Sequence, residues 1–143
     1  MATFEWKKEY ETGIMMIDFQ HQKLVSLIND FSEAVEQGHL QLVVDFSLDQ
    51  LCDYTVFHFD TEERLMKEAH YPDFEAHKKM HEALKKKVLF FKEKVQAGDL
   101  SIIGDVLEFL KNWLSEHIQE KDMDYVQTII KAMPHLTAEQ MVS

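Results

Sequence analysis

"HFDTEERLMKEAHYPDFEAHKKMH", His58 to His81, carries metal-capable side chains four residues apart at each of its ends: His58 with Glu62, and His77 with His81. An α-helix turns about 100° per residue, so positions four apart lie nearly above one another on one face. Each pair therefore aims two ligand atoms in one direction. Between the pairs, "AHYPDF" (Ala69 to Phe74) reads as a turn. The stretch predicts two helices meeting at a bend, each presenting a two-ligand face.

Helical periodicity continues on both sides. Residues 1–17 are rich in aromatics and contain Gly13, which predicts an arm packed across a bundle. From Asp18, a candidate cap, His21, Leu24, Val25, Ile28, Phe31 and Val35 follow the spacing of an amphipathic helix over about 18–37, with Gly38 as its stop. A second helix, about 41–67, places Val44, Leu48, Leu51, Thr55, His58, Glu62 and Leu65 on one face. Pro72 suits the first turn of a third, about 72–96, with Phe74, His77, His81, Leu84, Val88, Phe91 and Val95 as its stripe. Ser101 is a candidate cap for a fourth, about 101–119, striped by Ile103, Val106, Leu107, Leu110, Leu114 and His117. A short helix over about 124–133 ends at Pro134. Four helices of similar length with short connections predict an all-α fold: a single domain over 1–143, an antiparallel up-down-up-down bundle with an N-terminal arm and a short C-terminal helix.

Composition agrees and narrows the classes of function. The 143 residues suffice for one domain with a sizeable core, and four Gly and two Pro are too few for a turn-rich β-sandwich. A net charge of -11, from 26 acidic and 15 basic side chains, argues against nucleic acid or an anionic membrane as partner. The basic run "KKMHEALKKK" (Lys78 to Lys87) has the period of a solvated helix face. Cys52 is a single thiol, so no internal disulfide is possible, and a small buried side chain is its expected role. The N-terminus lacks a basic start followed by an apolar run, and no stretch has the length of a membrane span. A cytoplasmic monomer is expected.

Each of the four bundle helices is predicted to place at least one His on its inward face, which is costly unless the imidazole is paired or bound to a metal. His21 is near the start of its helix and His58 and Glu62 near the end of theirs. His77 and His81 begin the third, and His117 ends the fourth. In an antiparallel bundle all of these places lie at one end. A lone inward His is more often a satisfied core residue than a ligand. Six correlated positions reverse that preference and predict a metal site. In "HIQEKDMD" (His117 to Asp124), Asp122 sits roughly 140° around an ideal helix from His117. The two share a site only if the helix ends or widens, so an irregularity is expected near 120–122. Asp124 is the rival carboxylate, which spacing alone leaves open. His39, His70 and His135 fall in or beside turns and are expected on the surface, and Asp60 and Glu63, turned away from Glu62, are expected in solvent.

One His, then H-x-x-x-E, H-x-x-x-H and H-x-x-x-x-D on successive helices resembles the hemerythrin family, most closely its single-domain bacterial members. The matching residues are His21 in "IDFQH", His58 and Glu62 in "HFDTE", His77 and His81 in "HKKMH", and His117 and Asp122 in "HIQEKD". "WLSEH" and Tyr125 are similar as well. The resemblance implies two non-haem irons joined by Glu62, Asp122 and a solvent-derived oxo or hydroxo bridge. His77, His81 and His117 would bind one iron, and His21 and His58 the other. The first iron would then have six ligands and the second five, leaving a position where O2 binds end-on as hydroperoxide.

The implied function is reversible O2 binding for transport, storage or delivery, rather than an enzyme. NO or azide-like anions would be competing ligands, and an O2-consuming enzyme a possible recipient. Ile17, Phe59, Trp113 and Leu114 are the candidate lining of the O2 pocket. The alternatives are O2, NO or redox sensing, iron storage, or a di-iron oxidase or peroxidase. The chain's length leaves little room for a sensor's output domain. Zinc is the rival metal, but a structural zinc site is closed and four-coordinate, and seven ligands suit two octahedral ions better.

Overall fold

The computed structural model describes residues 4–38, 41–117 and 123–136. Five helices follow in order: α1 (Met15–Glu36), α2 (Gln41–Glu68), α3 (Phe74–Gln96), α4 (Ile103–Glu116) and α5 (Met123–Ala132). The first four form an antiparallel bundle. Gln20 of α1 meets His58 and Thr61 near the far end of α2, while Gln41 at the start of α2 donates to the carbonyl of Val95 at the end of α3.

The helical stripes face inward. All seven α2 positions from Val44 to Leu65 named above are buried, as are all six from Ile103 to His117. The apolar interior has two parts. The larger gathers Leu24, Ile28 and Phe31 of α1, Leu48 and Leu51 of α2, Val88 of α3, and Leu107, Leu110 and Leu114 of α4. The smaller joins Ile14 and Ile17 to Leu65 and Met66, closed from below by Tyr125, Val126 and Ile129 of α5. The His-bearing turns lie between the two. Cys52 is a buried free thiol whose pKa desolvation pushes up to about 12, which leaves it un-ionised at neutral pH. Among the described residues no helix is long and apolar enough to cross a membrane.

Three helix starts differ from the sequence expectation, each for a local reason. α1 begins at Met15 rather than Asp18. The Asp18 carboxylate reaches back instead, accepting from the Thr12 amide at 2.8 Å, the Thr12 hydroxyl at 2.8 Å and the Gly13 amide at 3.2 Å. It thereby fastens the arm to the helix, with Gly13 supplying a φ of 90° in the turn. α3 begins at Phe74 rather than 72, because Pro72 occupies a tight turn closed by the Phe74 amide on the Tyr71 carbonyl. α4 begins at Ile103 rather than 101, since Ser101 donates its hydroxyl to Asp99 and lies in a 3-10 turn over Leu100–Ile102.

Farther out, the arm is clasped by Asn29, which accepts from the Phe4 amide and donates to the Phe4 carbonyl, both at 2.8 Å. Tyr10 reaches Ser115 of α4 at 3.4 Å. Asp18→Ala removes three hydrogen bonds to the charged tether and is expected to cost about 1–3 kcal/mol in urea unfolding. An unchanged midpoint would mean that Asn29, Tyr10 and the aromatic contacts hold the arm without Asp18.

Candidate metal centre

Six of the seven expected ligand residues lie within the described structure, and all six are buried: His21, His58, Glu62, His77, His81 and His117. Asp122 lies outside the described residues, as do the expected irregularity at 120–122 and His39. What precedes them is visible. α4 ends at Glu116, and His117 occupies a wider, π-type turn, so the regular helix stops at the expected ligand.

The helices bring the donors together from all four sides. His21 and His58 pack edge to face with ring centroids 4.6 Å apart, and His77 and His81 with centroids 4.5 Å apart. Glu62 Oε1 stands among three imidazoles: 3.0 Å from His58 Nε2, 3.1 Å from His117 Nε2 and 3.5 Å from His81 Nε2. Its second oxygen accepts the hydroxyl of Tyr125 from α5. Two sets of donor atoms form, each spanning no more than 4.8 Å: His21, His58, Glu62 and His117, and then Glu62, His77, His81 and His117. Glu62 and His117 belong to both.

The directions of the hydrogen bonds decide which ring nitrogens face the centre. Thr61 donates its hydroxyl to the Phe57 carbonyl, so it accepts from the Gln20 amide nitrogen at 3.2 Å. That turns the Gln20 oxygen to His58 Nδ1 at 2.8 Å. An amide oxygen only accepts, so Nδ1 carries a proton and Nε2 is the ring nitrogen that faces Glu62. His81 follows the same logic, with Nδ1 on the Glu63 carboxylate at 3.2 Å and a buried Nε2 that makes no hydrogen bond. An imidazole nitrogen 3.0 Å from a carboxylate oxygen needs positive charge between the two, either a proton on the ring or a bound cation. Metal-binding His residues meet this condition by donating from the nitrogen away from the metal, and the residues present fit a cation.

Electrostatics point the same way. Burial alone would raise the Glu62 pKa, but the charge and hydrogen bonds of His58 and His117 outweigh it and hold the carboxyl well below its usual range. His21 is lowered to about 4 by burial, so it stays neutral, the form that ligates a metal.

Among the four candidate pocket residues, Phe59 lies flat on His81 with centroids 3.9 Å apart, and Trp113 stands 5.7 Å from both Phe59 and His117. Leu114 shares their apolar cluster, whereas Ile17 lies in the other one, beside Leu65 and Tyr125. The four are all buried, on opposite sides of the donor set.

Glu63 corrects an expectation: it is half-buried against His81 rather than solvated. Rotation away from Glu62 on α2 turns it toward α3. Asp60 does reach solvent, paired loosely with Lys85 at 3.6 Å. Gln20 was not singled out by its sequence context, and only the facing of α1 against α2 reveals it. His70 and His135 are exposed. The first of them ends α2 at a φ of 54° and lets the Tyr71 amide bond the Met66 carbonyl. His135→Ala and His70→Gly are expected to leave metal content unchanged in anaerobic iron quantitation, and iron loss in either would mean that an outside imidazole takes part.

The bundle thus encloses, at one end, a buried His and Glu cluster able to hold metal ions. Residues 12–129 match the Hemerythrin HHE cation binding domain. The chain belongs to the hemerythrin family. It is 36% identical over 141 residues to a bacteriohemerythrin of Pseudomonas aeruginosa, covering 98% of this chain and 90% of that one. The bacteriohemerythrin of Clostridium acetobutylicum is 34% identical, with 86% and 98% covered. A crystal structure of wild-type hemerythrin superposes with a TM-score of 0.83 at 30% identity, over 90% of this chain and 98% of that one.

Proposed function

We propose that this chain binds O2 reversibly at a pair of non-haem irons, as a cytoplasmic carrier or store rather than an enzyme. The observation that carries the reading is the sharing of Glu62 and His117 by two donor sets. A single closed ion would need one such set, whereas two adjacent ions need a bridging carboxylate between them. Asp122 is proposed as the second bridge. When bound, the irons would supply one electron each to O2, with an open position beside His21 and His58.

The protein's own part is to hold and to shield. His58 and His81 are fixed in the tautomer that presents Nε2. Phe59, Trp113 and Leu114 on one side and Ile17 on the other keep water from the centre. Five imidazoles with few carboxylates disfavour the high oxidation states needed to cleave O2, so release unchanged is the supported outcome. Because none of the described buried groups beside the centre is a free acid, no protein proton donor is assigned.

The test is direct. Anaerobically loaded protein exposed to air is expected to develop a visible charge-transfer band that disappears under vacuum, over repeated cycles. Irreversible passage to the diferric form, with release of peroxide or water, would replace the carrier with an oxidase.

A further inference from the structure

We propose that Glu63 and Gln20 are positioning residues that make the two halves of the centre electronically unequal, an inference that rests on the di-iron reading. Both accept from a ligand imidazole's Nδ1, and they differ in charge. Glu63 presents a carboxylate to His81 across the α2–α3 contact at 3.2 Å. Gln20 presents a neutral amide oxygen to His58 across the α1–α2 contact at 2.8 Å.

The neutral acceptor is fixed as such by its surroundings. Thr61 takes the Gln20 amide protons because its own hydroxyl is committed to the Phe57 carbonyl. Gln20 is buried, so no water competes for the arrangement. Glu63 retains a side-chain exposure of 14%, enough to keep a carboxylate partly hydrated beside its imidazole.

A carboxylate on Nδ1–H draws the proton toward itself and makes Nε2 a stronger donor, which favours the more oxidised state of the metal it touches. An amide does so far less. Glu63 therefore stabilises the ferric state on the side of His81, while Gln20 leaves the His58 side nearer the ferrous state. Both irons would be ferrous before O2 binds, and the one on the His81 side would be the easier of the two to oxidise. Aromatic contact reinforces the fixed orientation of His81, since Phe59 lies parallel to its ring at an interplanar angle of 7°.

The experiment uses the full chain and its Glu63→Gln, Glu63→Ala and Gln20→Glu variants. Metal stoichiometry and Co2+ affinity are read from visible ligand-field bands, and midpoint potentials from anaerobic titration of the iron-loaded protein. Glu63→Gln keeps an acceptor and loses the charge. It is expected to hold two metals with nearly native Co2+ affinity, while its ferrous-to-ferric ratio at a fixed potential rises about tenfold, or about 59 mV for one electron. Gln20→Glu is expected to shift that ratio the opposite way. Glu63→Ala loses the acceptor and is expected to bind Co2+ about 10–100-fold more weakly, with Glu63→Gln restoring most of the affinity.

Two metals per chain with native potentials in both charge variants would overturn this inference and leave the di-iron reading standing. Fewer than two metals in the unaltered chain would overturn both.

Discussion

Glu62→Ala is expected to reduce the anaerobically loaded chain from two irons to at most one, and to abolish the reversible charge-transfer band. No other described side chain is a carboxylate shared by both donor sets. Its Oε1 lies 3.0 to 3.5 Å from three imidazole nitrogens, so alanine leaves those rings without their common negative partner. The Tyr125 hydroxyl also loses its acceptor in a fully buried place, a cost of about 1–3 kcal/mol. Glu62→Gln preserves volume but not charge, and is expected to lose metal similarly while unfolding closer to the parent. Iron quantitation and urea titration separate the two effects. A Glu62→Ala chain that still held two irons would remove Glu62 from the centre.

Acidification of the metal-free protein is expected to have the next largest effect. His21 protonates at about 4 when folded, against 6.5 for an exposed imidazole. Between these values the unfolded chain holds a proton that the folded one refuses. Stability is therefore fully present above pH 6.5 and falls as pH drops toward 4, by roughly 3 kcal/mol from this group. Glu62, also depressed, adds a loss of the same sign below the ordinary carboxylate range. Urea midpoints of apoprotein from pH 7 to 4 measure the slope, and a midpoint that rose on acidification would contradict a buried neutral His21.

Metal should oppose this. At a free concentration a thousandfold above Kd, a ligand specific to the folded state adds about 4 kcal/mol, which corresponds to roughly 10 °C or more in Tm for a chain of this size.

These effects show which features are legible in a sequence. His58 with Glu62 and His77 with His81 are readable because helical period fixes which side chains share a face. Placement near helix ends then sets their common depth in an antiparallel bundle. Gln20 and Glu63 are not readable in this way. Their roles depend on how far α1 and α3 are rotated against α2, which is decided by packing across helices rather than along one. Asp18, Pro72 and Ser101 carry ordinary start signals, yet each is used outside the role expected of it, because a carboxylate, a proline and a hydroxyl serve turns as readily as helix caps. Only resemblance distinguishes Asp122 from Asp124, since helical spacing does not hold beyond a terminus such as that of α4 at Glu116.

Tyr125, finally, ties the order of events to the order of the chain. All six described donors precede α5, and α5 supplies the floor beneath them. During synthesis the donors emerge first, and the segment that shuts them off from solvent comes last. A metal ion delivered early would meet an open basin, and one delivered late a basin that α5 covers. In the finished protein, metal exchange is therefore expected to depend on movement of α5, the ten residues Met123–Ala132, as well as on the ligands.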